Sequence, residues 1–351
     1  MIKTKNRLKF NVQMFLVILL LFVLMVGSIL FGSVHISIEE CFKILGGHLP
    51  VLNQFISLDQ IKDSHITIVM DLRLPRMLLA LFAGMGLSVA GCVYQGVFSN
   101  PMADPYLLGV SSGAALGATF AILLQIPNAF AAVGSVSAMA FIGAILVLLF
   151  VFSMAKSKGK MPTITLILSG IAINYFISSF IALLMLFNRQ QLENVYFWTL
   201  GSFKDANWTK IIFLAMVVVI TLLFIYRYYR ELNMIMVSEE QARTLGVSTE
   251  KVKKILLIAA SLMVAVIVAT CGIIGFVGLI TPHAARLMTG PNHKKLIPFS
   301  MVFGGIFMVL SDTLARSILP NAEISVGIIT ALFGVPFFLL LLRKSRKTLI
   351  V

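Results

Sequence analysis

Three arginines are the side chains of this sequence best suited to specific polar recognition. Arg73 and Arg76 stand three apart across Pro75 in the run LRLPR, on adjacent faces of one helical turn, and Arg316 ends the run SDTLAR. A guanidinium offers a planar fork that takes a carboxylate bidentately, yet an arginine at the end of an apolar run can also bury its stem and lift its charge to an interface. A second polar concentration is ELNMIMVSEEQARTLGVSTEKVKK. There Ser238 with Gln241 reads as a capping box, Glu239 and Glu240 favour the positive end of a helix, and Gly246 is a C-terminal stop. Ser248 can cap a second helix that runs through Lys254, which predicts two short helices at a sharp angle.

Catalytic chemistry is missing by the same test. No G-x-x-x-x-G-K-[ST] phosphate loop occurs, and His35, His48, His65, His283 and His293 form no H-E-x-x-H. Cys41, Cys92 and Cys271 are too scattered for a metal cluster or a disulfide framework and read as packing residues, Cys41 being a candidate free external thiol. The sequence therefore predicts neither a catalytic site nor a metal site.

The elements that must position these residues are membrane helices. With 59% hydrophobic and 12% charged residues and a mean hydropathy of +0.99, a chain of 351 residues lacks the polar surface to cover a water-soluble globule. Apolar runs at 12–31, 75–97, 105–125, 131–154, 163–187, 208–229, 255–272, 273–288, 297–317 and 324–342 each approach the ~20 residues a bilayer requires. This predicts an all-α polytopic membrane protein of about ten spans, with residues 34–72 an external loop carrying a short helix at 37–45. The formal charge of +14 is no nucleic-acid signal, because Lys and Arg fall in short blocks between apolar runs. With both termini cytoplasmic, 20 of the 28 Lys and Arg lie inside, in 3–9, 156–160, 227–254, 286–295 and 343–347, as the positive-inside rule asks. Trp198 and Trp208 flank the external loop between spans five and six, and Tyr226, Tyr228 and Tyr229 mark the inner interface. The acids fall almost entirely in loops or at span ends, with Asp312 the main exception, so the midplane holds no evident site for a coupling ion. Were the chain a transporter, its energy would have to arrive from another subunit.

The stretch 73–117 binds these features together. Its first apolar segment breaks at Asn100-Pro101 and restarts at Asp104-Pro105, a helix-start pair, which predicts two spans joined by a very tight turn. Gly109, Gly113 and Gly117 follow at intervals of four, on one face of the second helix, where another backbone can approach closely. LRLPR, then Gly91, Gln95 and Gly96 as G-x-x-x-Q-G, then NPMADPYLLGVSSGA, and later GFVGLITPHAAR, SDTLAR and ISVGIITALFGVPFF, resemble the permease subunits of bacterial ABC importers for iron-siderophores, haem and cobalamin. The resemblance runs from about residue 70 to the end.

What the resemblance implies is specific. The chain would be one transmembrane permease domain over 1–351, a multi-pass protein of the bacterial cytoplasmic membrane. A second permease copy or close homologue, two ATPase subunits carrying ATP and Mg, and an extracytoplasmic substrate-binding protein would complete it, with membrane lipid around it and no nucleic acid. In this family E-x-A-R-x-L-G docks in a cleft of the ATPase subunit, which assigns coupling to Ser238, Glu239, Glu240, Ala242, Arg243, Leu245 and Gly246 within coupling helices at about 238–254. Arg73, Arg76 and Arg316 match arginines that receive glutamates from the binding protein. Asn100 and Met102, with Thr163, match the cytoplasmic gate; relatives usually carry Leu where Met102 stands, another apolar plug. His283 reads as a hydrogen-bonded structural histidine. The substrate is left among ferric siderophore, placed first, haem and cobalamin.

Overall fold

The computed structural model describes residues 2–348 except 33, 49–53, 55–57, 59–60, 128–133, 157–161 and 320–321, and no strand occurs among the described residues. Lys158 and Lys160, placed above on the basic side, and the expected start of the fourth span at 131–133 lie outside them. The helices are α1 (Ile2–Leu30), α2 (Ile38–Gly47), α3 (Asp63–Thr67), α4 (Leu74–Val97), α5 (Val110–Leu123), α6 (Ser135–Ala155), α7 (Thr163–Phe187) and α8 (Leu192–Thr199). They continue as α9 (Trp208–Arg227), α10 (Tyr229–Val237), α11 (Glu239–Thr244), α12 (Thr249–Cys271), α13 (Val277–Thr289), α14 (His293–Ala315) and α15 (Val326–Thr348). Among the described residues, seven helical stretches are long and apolar enough to cross a membrane, the longest being Asp63–Val97. α5 and the apolar part of α15, Val326–Leu340, are shorter, and α13 has 13 residues.

Helix α4 is the axis of the molecule. In its spanning window 83% of residues are buried, against 11% for α7, so α4 meets protein on all sides while α7 faces outward. Because a bilayer offers no hydrophobic drive for helix association, contact here depends on close approach and on polar bonds. A Cβ at Gly91 would lie 1.8 Å from the carbonyl oxygen of Gly278 on α13, and one at Gly84 would lie 2.2 Å from that of Gly304 on α14. Between these contacts Ser88 donates to the Ser300 carbonyl (2.6 Å), Thr281 donates to the Ser88 hydroxyl (2.7 Å), and Tyr94 bonds Ser261 on α12 (2.6 Å).

Several boundaries differ from the expectation for identifiable reasons. The helix ending in α4 begins at Asp63, inside the expected loop, and passes Pro75 through a π-helical turn over Ile68–Arg73. Proline has no N–H for the regular ladder, and a wider turn accommodates the gap. Gly109 is not on the face of α5: Pro105–Leu108 is a 3-10 turn, and Gly109 follows it at φ +81°, so α5 starts only at Val110. Gly113 and Gly117 do pack closely, against Gly143 and Met139 of α6. The expected junction of spans seven and eight is a non-helical stretch, 272–276, with Gly272 at φ +73° and Phe276 at φ +68°. The Tyr106 hydroxyl donates to the Ile274 carbonyl (2.8 Å) and accepts from the Ile274 N–H (3.3 Å), so the opened backbone is satisfied. The short helix α2 is where it was expected, with the full capping box of Ser37 and Glu40. The free cysteines Cys41, Cys92 and Cys271 are all buried, which removes Cys41 as an external thiol.

Candidate functional site

Two polar constellations sit at opposite ends of α4. At the end where α4 finishes, α10 and α11 project between α9 and α12. Ser238 caps α11 by accepting from the Gln241 N–H (3.3 Å), though the Gln241 side chain does not close the reciprocal half of a box. Gly246, at φ +85°, stops the helix; its N–H reaches the Arg243 carbonyl and the Val247 N–H reaches that of Ala242. Ser248 occupies the N-cap position of α12 but makes no side-chain cap bond. The fastening is done instead by Glu239, which accepts from Arg243 (2.7 Å), Thr249 (3.3 Å) and Lys253, while Arg243 also reaches Thr249 (2.9 Å) and Glu250 (3.1 Å). Burial tends to raise the Glu239 carboxyl, but the bonds and charges of Lys253 and Arg243 outweigh it and hold the group below its ordinary value. Ala242 is buried under this clamp, whereas Leu245 and Val237 stand exposed.

The tight turn lies beside that clamp. Asn100 closes it by accepting from the Met102 N–H (2.9 Å), an Asx turn over Pro101. Val97 and Phe98, Thr163 and Leu166 of α7, and Glu250, Lys253, Lys254 and Leu257 of α12 line one small gap. The structure thus brings Thr163 against the base of α12, while Asn100 and Met102 bond within their own turn. His283 is half-buried and makes no hydrogen bond among the described residues.

At the other end the three arginines converge, but not as open forks. Arg73, 5% exposed, donates to the carbonyls of Ile29 (2.8 Å), Leu30 (3.1 Å) and Val34, closing the C-terminus of α1. Arg316 donates to the Ser28 carbonyl and hydroxyl (2.8 Å to Oγ), and its Nε stands 3.7 Å from buried Asp312. Arg76 shares its single Nε–H between both oxygens of Asp312 (2.9 and 3.2 Å) and donates from a terminal nitrogen to Glu323 (2.9 Å). Asp312, the main exception to the placing of acids in loops and at span ends, is the hub of this cluster; Glu323 was not anticipated, because its partner lies 247 residues away.

A third feature, also unanticipated, is an apolar cavity of about 550 Å³ lined by the opened backbone at Ile273, Gly275 and Phe276, by Thr199 and Leu200 at the end of α8, and by α15 from Gly327 to Pro336. No charged side chain lines it.

Comparison with known proteins places these features in a family. The FecCD transport family matches residues 19–344, and the chain belongs to it. It is 42% identical over 279 residues to the cobalamin import system permease protein BtuC of Halobacterium salinarum, covering 80% of this chain and 74% of that one. It is 38% identical over 287 residues to the iron(3+)-hydroxamate import system permease protein FhuG of Bacillus subtilis, covering 80% and 84%. Among solved structures, a metal-chelate type ABC transporter in an inward-facing conformation superposes with a TM-score of 0.79 at 31% identity, over 95% of this chain and 99% of that one.

Proposed function

We propose that this member of the FecCD transport family is the membrane-spanning subunit of an ATP-driven importer that passes a metal chelate from an external binding protein to the cytoplasm. Two copies, or this chain and a close homologue, enclose the pathway in the cytoplasmic membrane. Two ATPase subunits attach at α11, and the binding protein docks at the arginine end. Both termini face the cytoplasm, as the basic bias requires.

The observation that carries this reading is the shared gap between Thr163, Phe98 and the first turns of α12. Glu239 ties α11 to Lys253 and Thr249 of α12, and the same turn of α12 abuts the start of α7 and the end of α4. A push on α11 is therefore delivered to the tight turn at Asn100 and Met102 without any intervening loop. Closure there is apolar and needs no charge. The test is uptake by the reconstituted complex in liposomes: transport follows ATP and survives collapse of ion gradients. Uptake that persists without the ATPase subunits, driven by an ion gradient, would mean a secondary transporter instead.

Ferric siderophore is the substrate we place first; identity to the hydroxamate permease supports it, and the apolar cavity suits a chelate whose metal charge is masked. The 42% identity to a cobalamin permease is the specific reason to keep cobalamin as the second reading. Fluorescence quenching of the cognate binding protein by ferric hydroxamate, haem and cobalamin separates them.

A further inference from the structure

The arginine end is unevenly paired. Arg73, Arg76 and Arg316 bring three guanidinium groups, and Asp312 and Glu323 bring two carboxylates. The shortfall has a visible location: Arg316 Nε is buried and has no hydrogen-bond acceptor, because Asp312 remains 3.7 Å away while both its oxygens serve Arg76. A buried donor without an acceptor costs free energy, so a rearrangement that frees an Asp312 oxygen for Arg316 is favoured. The two carboxylates also differ in standing. Asp312 is sealed in α14 at 1% exposure, whereas the Glu323 side chain is 44% exposed on the strap before α15.

We infer that Glu323 is an internal stand-in for a carboxylate of the docking protein, displaced from Arg76 when that protein binds. This rests on the proposed docking role of the arginine end. An incoming carboxylate takes the terminal nitrogen that Glu323 vacates and draws Arg76 outward. Asp312, whose two oxygens had shared one Arg76 N–H, turns one of them to the waiting Arg316 Nε. Pairing is exchanged and not lost, so arginines this deeply held can still serve an interface. Arg73, whose two terminal nitrogens are held by three carbonyls of its own chain, takes no part in the exchange.

The experiment titrates the cognate substrate-binding protein against the intact permease–ATPase complex in nanodiscs, for the parent and for Glu323→Gln, Glu323→Ala and Arg76→Glu. Removing the stand-in should tighten binding about two- to fivefold, the scale of an exposed ion pair, with the gain shrinking at high salt. Arg76→Glu should weaken binding at least tenfold. Unchanged or weaker binding by both Glu323 variants, with Arg76→Glu still defective, overturns the stand-in and leaves the docking site standing. Binding unaffected by Arg76→Glu overturns both. Thermal unfolding and size-exclusion of each complex identify a variant that has misfolded, and agreement between the Gln and Ala variants is required for support.

Discussion

The two ends of the molecule use the same chemistry in opposite ways. At the arginine end, Arg76 and Asp312 pair across 236 residues of chain, the aspartate 1% exposed. At the α11 end, Glu239, Arg243, Thr249, Glu250 and Lys253 crowd within 14 residues and the arginine side chain is 48% exposed. Removing one member of a buried pair strands a charge out of water, whereas exposed pairs are worth little because water screens them. The first cluster therefore holds helices together and the second orients a surface.

The contrast predicts a graded series. Asp312→Ala leaves Arg76 and Arg316 facing each other in a buried site and should cost about 3–5 kcal/mol, read as loss of folded protein in detergent melts. Arg73→Ala should follow at about 2–3 kcal/mol, since bonds from a charged donor to the carbonyls at the end of α1 are lost. If Arg73→Ala weakens docking of the binding protein while leaving the melting temperature unchanged, Arg73 belongs to the interface and not to the fold. Ser238→Ala removes the cap of a six-residue helix and should cost about 1 kcal/mol, confined to α11 and visible as faster hydrogen exchange there. Glu239→Gln should lower global stability by less than about 1 kcal/mol yet reduce substrate moved per ATP, because the brace between α11 and α12 is cut.

Acid gives the smallest and most local effect. The Glu239 carboxyl sits below its unfolded value, so its stabilisation is fully present above that value, near pH 4.5, and fades as pH falls through the lowered one. Exchange protection of α11 should weaken below about pH 4.5 in the parent and show no such dependence in Glu239→Gln. A pH-insensitive α11 in both would remove Glu239 as the fastener.

Legibility in the sequence follows the same division. Local signals were readable: the Ser238 cap, the Gly246 stop, the short helix at 37–45, and the Asp104-Pro105 start, where the Asp104 carboxylate accepts from the Tyr106 N–H (2.8 Å). The resemblance brought Arg73, Arg76 and Arg316 to attention, but not that they face inward, because burial is set by α1 and α14 folding across them. Glu323 and the clamp on Glu239 were missed, one for want of any sequence proximity and the other because an exposed loop of charges has many pairings open to it. α8 and α10 were read as loop or as span ends; both are short helices whose existence depends on the elements they rest on.

One hydroxyl deserves a mechanical reading. Tyr106 stands just after the tight turn and holds both polar groups of Ile274, inside the break between α12 and α13. That bond fastens the turn and the break to one another across 168 residues of chain. The wall of the apolar cavity is thereby moored to the start of α5, and Tyr106→Phe would leave both polar groups of Ile274 without that anchor.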